Sequence, residues 1–331
     1  MSFPPPPAGT VWELATTYWL SRCLHVATEI GVADALGPEP VRPDVLASSV
    51  GVNADALFRI VRLLAAHGVF EIKDGRIAHT PASEILRTDH PQSMRAFVRV
   101  MGVPIMWSAY GELEHAVRTG HSAVEKAVPE GFFGYMAANP NVAGIFDEAM
   151  MAASHAQIPA ILGSYDFSRF KRIGDIAGGR GHLLKALLEK QPGASGVLFE
   201  LPHVIAEAKG KLPDRIELVT GDFFKDKLPS CDAYLLKAIL HDWDDNSARK
   251  ILRAIRMASP AHATILILET IMPDQPGPHW AKLLDIQMLT MHTGRERTRA
   301  EYATLLAEEK FRLERVIETS SDVQILEAIP V

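Results

Sequence analysis

The sequence predicts an α/β protein in which a Rossmann-like, doubly wound domain over residues 166–331 follows an α-helical N-terminal domain with a winged-helix pattern, residues 1–95. Two observations carry this. From Phe170 onward, short apolar runs alternate with helical stretches, as a parallel sheet wrapped in helices requires. Before residue 90 the order is helix, turn, helix and a two-stranded hairpin.

In the N-terminal part, Trp19, Cys23, Val26, Ala27 and Ile30 recur at helical spacing, which predicts one amphipathic helix over Leu14–Leu36. The stretch VRPDVLASSVG reads as a short helix stopped at Gly51, and Asn53 as the cap of a second helix running to His67. VFEI and RIAHT flank Lys73-Asp74-Gly75. An Asp-Gly pair accepts the positive φ angles of a tight hairpin turn. Residues 96–165 read as a helical linker rich in methionine and aromatics, including Met106, Trp107, Phe132, Phe133, Phe146, Met150 and Met151. The strands expected beyond it are RIGDIA, GVLFEL, IELVTGDF, DAYLLKAI, TILILETI, FRLERVIE and VQILEAI.

Bulk properties narrow the function. A chain of 331 residues with 47% hydrophobic content can bury a substantial core. Its net charge of -6 gives no general attraction to nucleic acid or to an anionic membrane surface. Across residues 41–90, Arg42, Arg59, Arg62, Lys73, Arg76 and Arg87 are balanced by Asp44, Asp55, Glu71, Asp74, Glu84 and Asp89, which argues against a winged-helix transcription regulator. Cys23 and Cys231 offer neither a disulfide framework nor a zinc site. The prolines Pro4 to Pro7 replace any basic-then-apolar leader, and no apolar run approaches the ~20 residues of a membrane span, so a soluble cytoplasmic protein is expected.

In an open parallel sheet, ligands bind at the C-terminal ends of the strands. Three acids stand there: Asp175 ahead of the loop AGGRG (with Gly178, Gly179 and Gly181), Glu200 within FELP beside Leu201, and Asp222 within GDFF beside Phe223. Three carboxylates would repel a dinucleotide's diphosphate, but they suit ribose hydroxyls, an ammonium and a sulfonium. S-adenosylmethionine carries all of these groups. The fourth strand then leads to His241-Asp242-Trp243-Asp244-Asp245, placing His241 beside the same crevice. An imidazole titrating near ~6.5 can accept the proton of a phenol with a pKa of about 10 as that oxygen attacks, a contribution of typically 10² to 10⁴ in rate. Asp244 and Asp245 read as the cap and first-turn charge of the following helix, and no metal is expected. Lys237, within the fourth strand, either meets the cofactor or reaches the surface.

The runs DIAGGRG, FELP, GDFF, YLLKAILHDWDD, ETIMPD, GRERT and ILEA resemble, in order and spacing, the plant caffeate-type and bacterial antibiotic-tailoring O-methyltransferases, over nearly the whole chain. The resemblance implies a class I methyltransferase domain with an N-terminal dimerisation domain, hence a homodimer, and a small aromatic or polyketide-type acceptor whose pocket the linker helps to line. It implies His241 as base flanked and oriented by Glu269 and Glu296. The cofactor would be held by Glu200 at the ribose, Asp222 and Phe223 at the adenine, and Lys237 nearby. Met106, Trp107, Phe146, Met150, Asp242, Met288 and His292 fall to the acceptor side. Three residues depart from the family's pattern: Ala177 for a glycine, Glu200 for an aspartate, and Glu309-Lys310 for Ala-Gly before Phe311. Relatives that turned to hydroxylation or pericyclic chemistry have lost the catalytic histidine. This chain keeps it.

Overall fold

The computed structural model describes residues 7–331; Met1–Pro6, which contain most of the proline run, and the side chain of Phe133 lie outside the described residues. The chain divides into two compact units, one running up to Trp107 and including Phe133–Ala153, the other made of Ser108–Phe132 and Ser154–Val331. The stretch 96–165 is thus shared between both units.

In the first unit the opening helix spans Ala8–Glu29, and Gly31, at φ 77°, separates it from a short helix Val32–Ala35. The single helix expected over Leu14–Leu36 is therefore two. A glycine takes this left-handed conformation at little cost, and doing so ends the helical hydrogen-bond ladder. The apolar stripe divides as well. Cys23 and Ile30 pack onto the unit's own core, whereas Trp19 is exposed together with Val11, Trp12, Leu14 and Tyr18. The helix Pro43–Val50 stops at Gly51 (φ 72°), and Asn53 caps the helix Ala54–Ala66 by accepting from the Ala56 N–H at 3.0 Å. Strands β1 (Phe70–Lys73) and β2 (Arg76–His79) pair antiparallel around Asp74 and Gly75, whose φ angles of 49° and 69° make a tight reversal. Leu46, Leu57, Val61, Leu64, Phe70 and Ile77 close the core beneath them.

The second unit holds β3 (Arg172–Ile176), β4 (Ser195–Glu200), β5 (Ile216–Thr220), β6 (Ala233–Lys237), β7 (Thr264–Glu269), β8 (Phe311–Ile317) and β9 (Gln324–Pro330). Each falls on an apolar run expected to be a strand. They form a seven-stranded sheet in the order β5-β4-β3-β6-β7-β9-β8, parallel except for β9, which runs antiparallel to both neighbours. Burial on both faces explains the near-continuous apolar sequences of β6 and β7. On one face, Leu183, Leu184, Leu187 and Leu188 of the helix His182–Lys190 pack with Ile173 and Leu198. On the other, Ile251, Leu252 and Ile255 of the helix Asp245–Ala258 and Tyr302, Leu305 and Leu306 of the helix Arg299–Glu308 pack with Tyr234, Leu236, Ile265 and Ile267.

From β3 the chain steps outward through β4 and β5, then returns to place β6 on β3's other side. The crevice for a ligand opens where that direction reverses, at the C-terminal ends of β3 and β6. The last departure from the family's pattern lies far along the chain from these ends. Lys310 turns the chain from helix to β8 at φ 63°, a conformation glycine takes more easily, and Glu309 compensates with a bidentate pair to Arg253 at 2.9 and 2.7 Å.

Candidate active site

The loop after β3 is shaped by backbone demands. Ala177, Gly179 and Gly181 have φ angles of 56°, 58° and 75°. A side chain on Gly178 would bring its Cβ within 2.3 Å of the Asp175 carboxyl carbon, so only glycine fits over that acid. Glu200, at the end of β4, reaches across this loop: its carboxylate accepts from the Gly179 N–H at 3.2 Å and from the Leu201 N–H at 2.5 Å. Burial pushes its pKa up against these bonds. Leu201 is 42% exposed at the start of the helix Pro202–Ala208. Beyond β5, Asp222 accepts from the Phe224 N–H at 2.9 Å and pairs with Lys225 at 2.8 Å, contacts that hold its pKa down. The Phe223 ring meets Trp243 edge-on at 6.0 Å.

Asp175 itself is 1% exposed, and neither of its carboxylate oxygens has a hydrogen-bond partner among the described residues. Burial drives its pKa up to about 7, outweighing the pull of the Lys237 ammonium, while the Glu200 charge adds to the rise. Lys237, the last residue of β6, donates to Ser154 Oγ at 3.2 Å and is itself pushed down by burial. A buried carboxylate without a partner costs free energy unless a ligand completes it. Asp175, Glu200 and Lys237, around a loop whose glycines admit close approach, fit a ligand with cationic, hydroxyl and carboxylate groups. S-adenosylmethionine has that set.

The histidine stands just past β6. The strand ends at Lys237, Ala238 turns at φ 53°, and His241 lies in a short 3₁₀ turn, Leu240–Asp242. Its Nδ1 is 2.7 Å from Glu296 Oε1. Its Nε2 is 3.6 Å from Asp242 Oδ1, and the same oxygen is 3.9 Å from His292 Nε2. Burial presses the His241 pKa down, but Asp242, the bond to Glu296, and the Glu269 and Glu296 charges together lift it to about 10.

Glu269 flanks His241 from the backbone side. It does not hydrogen-bond the imidazole. Its Oε1 accepts from the backbone N–H groups of Ile239, Leu240 and His241 at 3.1, 2.6 and 3.3 Å, and its Oε2 accepts from the Tyr302 hydroxyl. Glu269 therefore holds the turn that carries the histidine, and among the described residues it is Glu296 that hydrogen-bonds the ring.

Of the acceptor-side residues, Asp242, Met288 and His292 belong to the second unit. Met288 is buried on the helix Trp280–Met291, whose C-cap is His292, and the His292 ring lies 5.2 Å from that of Phe132. Met106, Trp107, Phe146 and Met150 belong to the first unit. Met106 is buried and Met150 is 41% exposed. The Trp107 ring meets His25 edge-on at 5.9 Å, with the Arg22 guanidinium over it at 5.3 Å. Asp244 caps its helix by accepting from the Ser247 N–H at 2.7 Å, as expected.

The sequence reading passed over three residues here. Arg297 is 1% exposed and donates to the carbonyls of Leu240 and Trp243 and to Asp245. Tyr302 completes the bonding of Glu269. Gly294 lies so close to the histidine's backbone that a Cβ would stand 1.8 Å from the His241 carbonyl oxygen. All three lie in or near GRERT, and that proximity was the available signal. Among the described residues no group of acids, histidines and cysteines has the arrangement of a metal site, and no helix is long and apolar enough to cross a membrane.

Comparison with known proteins bears on this arrangement. Residues 110–312 match the family model of an O-methyltransferase domain, and residues 12–89 that of an O-methyltransferase dimerisation domain. A phenazine O-methyltransferase of Lysobacter antibioticus is 39% identical, covering 98% of this chain and 97% of its own. A phenazine-1-carboxylate N-methyltransferase of Pseudomonas aeruginosa is 31% identical, with 97% of each chain covered. Among solved structures, an O-methyltransferase from neocarzinostatin biosynthesis, in complex with S-adenosylmethionine and 2-hydroxy-5-methyl naphthoic acid, superposes with a TM-score of 0.81 at 30% identity over 94% of this chain and 96% of its own.

Proposed function

The chain belongs to the S-adenosylmethionine-dependent O-methyltransferase family, and on that premise we propose that it methylates a hydroxyl of a small aromatic or polyketide-type molecule, with His241 as general base. The observation that carries the proposal is the 2.7 Å contact between His241 Nδ1 and Glu296 Oε1. In the neutral ring the one proton sits on Nδ1, shared with that carboxylate, and the Nε2 lone pair faces an acceptor hydroxyl; because the pKa is lifted to about 10, this form gains population as pH rises.

Bound at the strand ends, S-adenosylmethionine supplies an electrophilic methyl group on a sulfonium. Asp175, Glu200, Asp222, Phe223, Lys237 and the glycine loop would hold it. His241 takes the acceptor's proton onto Nε2 as the oxygen attacks. Glu296 stabilises the resulting imidazolium, and Asp242 faces the same nitrogen. Glu269, with Tyr302, fixes the backbone beneath the ring. The raised basicity of His241 brings it level with a phenol of pKa about 10, so proton transfer between them is close to balanced.

An aromatic acceptor is favoured, within the second unit, by the ring of Phe132 beside His292 and by the buried Met288. Two relatives are named for phenazine substrates, and a neighbour is solved with a hydroxynaphthoic acid, which supports an aromatic acceptor. The exposed Val11, Trp12, Leu14, Tyr18 and Trp19 of the first helix support a homodimer built through the N-terminal domain, and the unpaired Cys23 and Cys231 suit the cytoplasm.

The test is mass spectrometry of reactions with a panel of hydroxylated aromatics. His241→Ala should lower turnover by about 10² to 10⁴ at neutral pH with S-adenosylhomocysteine affinity retained. Full turnover by the variant would refute His241 as the base.

A further inference from the structure

Three consecutive residues of the loop before the helix Arg299–Glu308 grip the histidine's turn. The Arg295 N–H donates to the His241 carbonyl at 2.9 Å, Glu296 bonds the ring, and Arg297 takes the carbonyls on either side. Arg297 Nη1 donates to Leu240 O at 2.9 Å and Nη2 to Trp243 O at 2.8 Å, so the guanidinium brackets His241 and Asp242. Nε and Nη2 reach Asp245 Oδ1 at 3.0 and 2.8 Å. Burying an arginine this fully is unfavourable without a counter-charge and satisfied donors, and both are present. A solvated surface arginine would not need two main-chain carbonyls. A planar fork of donors spans them and the carboxylate together; a lysine ammonium does not.

We propose that Arg297 is a positioning residue for the catalytic base, clamping the backbone from Leu240 to Trp243 so that the His241 ring stays in register with Glu296. This rests on His241 being the base. Arg297 touches no reacting atom; it acts through the turn. The loop that delivers Glu296 to the ring also delivers the clamp, so one short segment sets both the partner and the distance. Main-chain anchoring completes it, because the Met272 N–H donates to the Arg297 carbonyl at 2.9 Å and ties the clamp to the segment after β7.

The experiment compares Arg297→Lys, which keeps the charge and loses the fork, with Asp245→Asn, which loosens the same clamp from its half-exposed end. His241→Ala and Glu296→Gln serve as references. Each variant is read for kcat, for S-adenosylhomocysteine affinity, for melting temperature and for the titration midpoint of the His241 ring by NMR. Arg297→Lys should lower kcat by about 10- to 100-fold, since displacing a reacting group by an ångström costs that order, with cofactor affinity within about twofold. Asp245→Asn should act in the same direction by about three- to tenfold. Both should move the His241 midpoint the same way as Glu296→Gln. Arg297→Lys combined with Glu296→Gln should cost less than the product of the two separate losses, because both break one contact.

If His241→Ala keeps full turnover, the base assignment falls and the proposal with it. If His241→Ala is impaired while Arg297→Lys keeps wild-type kcat and midpoint, the base stands and the clamp is refuted. Independent, multiplying effects in the double variant also refute it. So does a loss of kcat that only tracks equal losses of melting temperature and cofactor affinity in both Arg297→Lys and Asp245→Asn, the signature of a residue needed for stability alone.

Discussion

Glu296→Gln is the sharpest probe of the site, because it removes one charge and keeps the side chain's shape beside the ring. His241 is lifted from its ordinary value of 6.5 to about 10, against the downward push of burial, by Asp242, Glu296 and Glu269. Of the three, only Glu296 hydrogen-bonds the imidazole. A hydrogen bond to a charged partner contributes about 1.5 to 3 kcal/mol, which at about 1.4 kcal/mol per pKa unit corresponds to roughly 1 to 2 units. In the variant the midpoint should therefore fall to about 8 to 9. The sign extends to stability. In the wild type the folded state holds an extra proton between pH 6.5 and 10, so the stabilisation from the ring is complete below 6.5 and lost as pH rises through 10. The variant should lose it over a lower, narrower window. The assay is an NMR titration of the histidine ring carbon–hydrogen signals, with His241→Ala identifying the resonance, beside kcat/KM profiles for a phenolic acceptor. The wild-type profile should climb toward alkaline pH as the base loses its proton; the variant should level off earlier and lower. An unchanged midpoint would refute the argument that Glu296 sets the basicity of His241.

Ala177→Gly should stabilise the protein by about 1 kcal/mol, since alanine at φ 56° carries left-handed strain that glycine avoids, and denaturant titration will read it. Asp175→Asn should weaken S-adenosylmethionine binding by calorimetry. Because the wild-type acid titrates near 7 without ligand, wild-type affinity for the cationic cofactor should also rise from pH 6 to 8, and the variant's should not. Trp12→Glu with Leu14→Glu should shift light scattering toward monomer; an unchanged dimer mass would place the interface elsewhere. EDTA should leave turnover intact, since the proposed base activates the hydroxyl unaided. Loss of turnover restored by magnesium would overturn that.

The strands were legible because burial on both faces writes continuous apolar runs such as Ala233–Leu236 and Thr264–Leu268. The Asp74-Gly75 turn was legible because few residue pairs accept two positive φ angles. The break at Gly31 was not, because the apolar spacing continues through it and a single glycine inside a helical pattern is often tolerated. Strand-end acids pointed to the cofactor end from position alone. Arg297 and Tyr302 escaped because pattern assigns a charged residue to the surface and a tyrosine beside alanines and leucines to packing. Their partners, two carbonyls and the carboxylates of Asp245 and Glu269, leave no mark on sequence spacing. Glu269 was legible as a neighbour of His241, while its bonds, to three backbone N–H groups and the Tyr302 hydroxyl, were not.

The close seating of Gly294 against the His241 carbonyl ties together two segments far apart in the chain, the turn after β6 and the loop that carries Glu296. Any local opening that lifted this loop would break the Arg295 N–H bond to the His241 carbonyl and the Glu296 contact to the ring together, so hydrogen exchange of the Arg295 amide would report on the integrity of the pair.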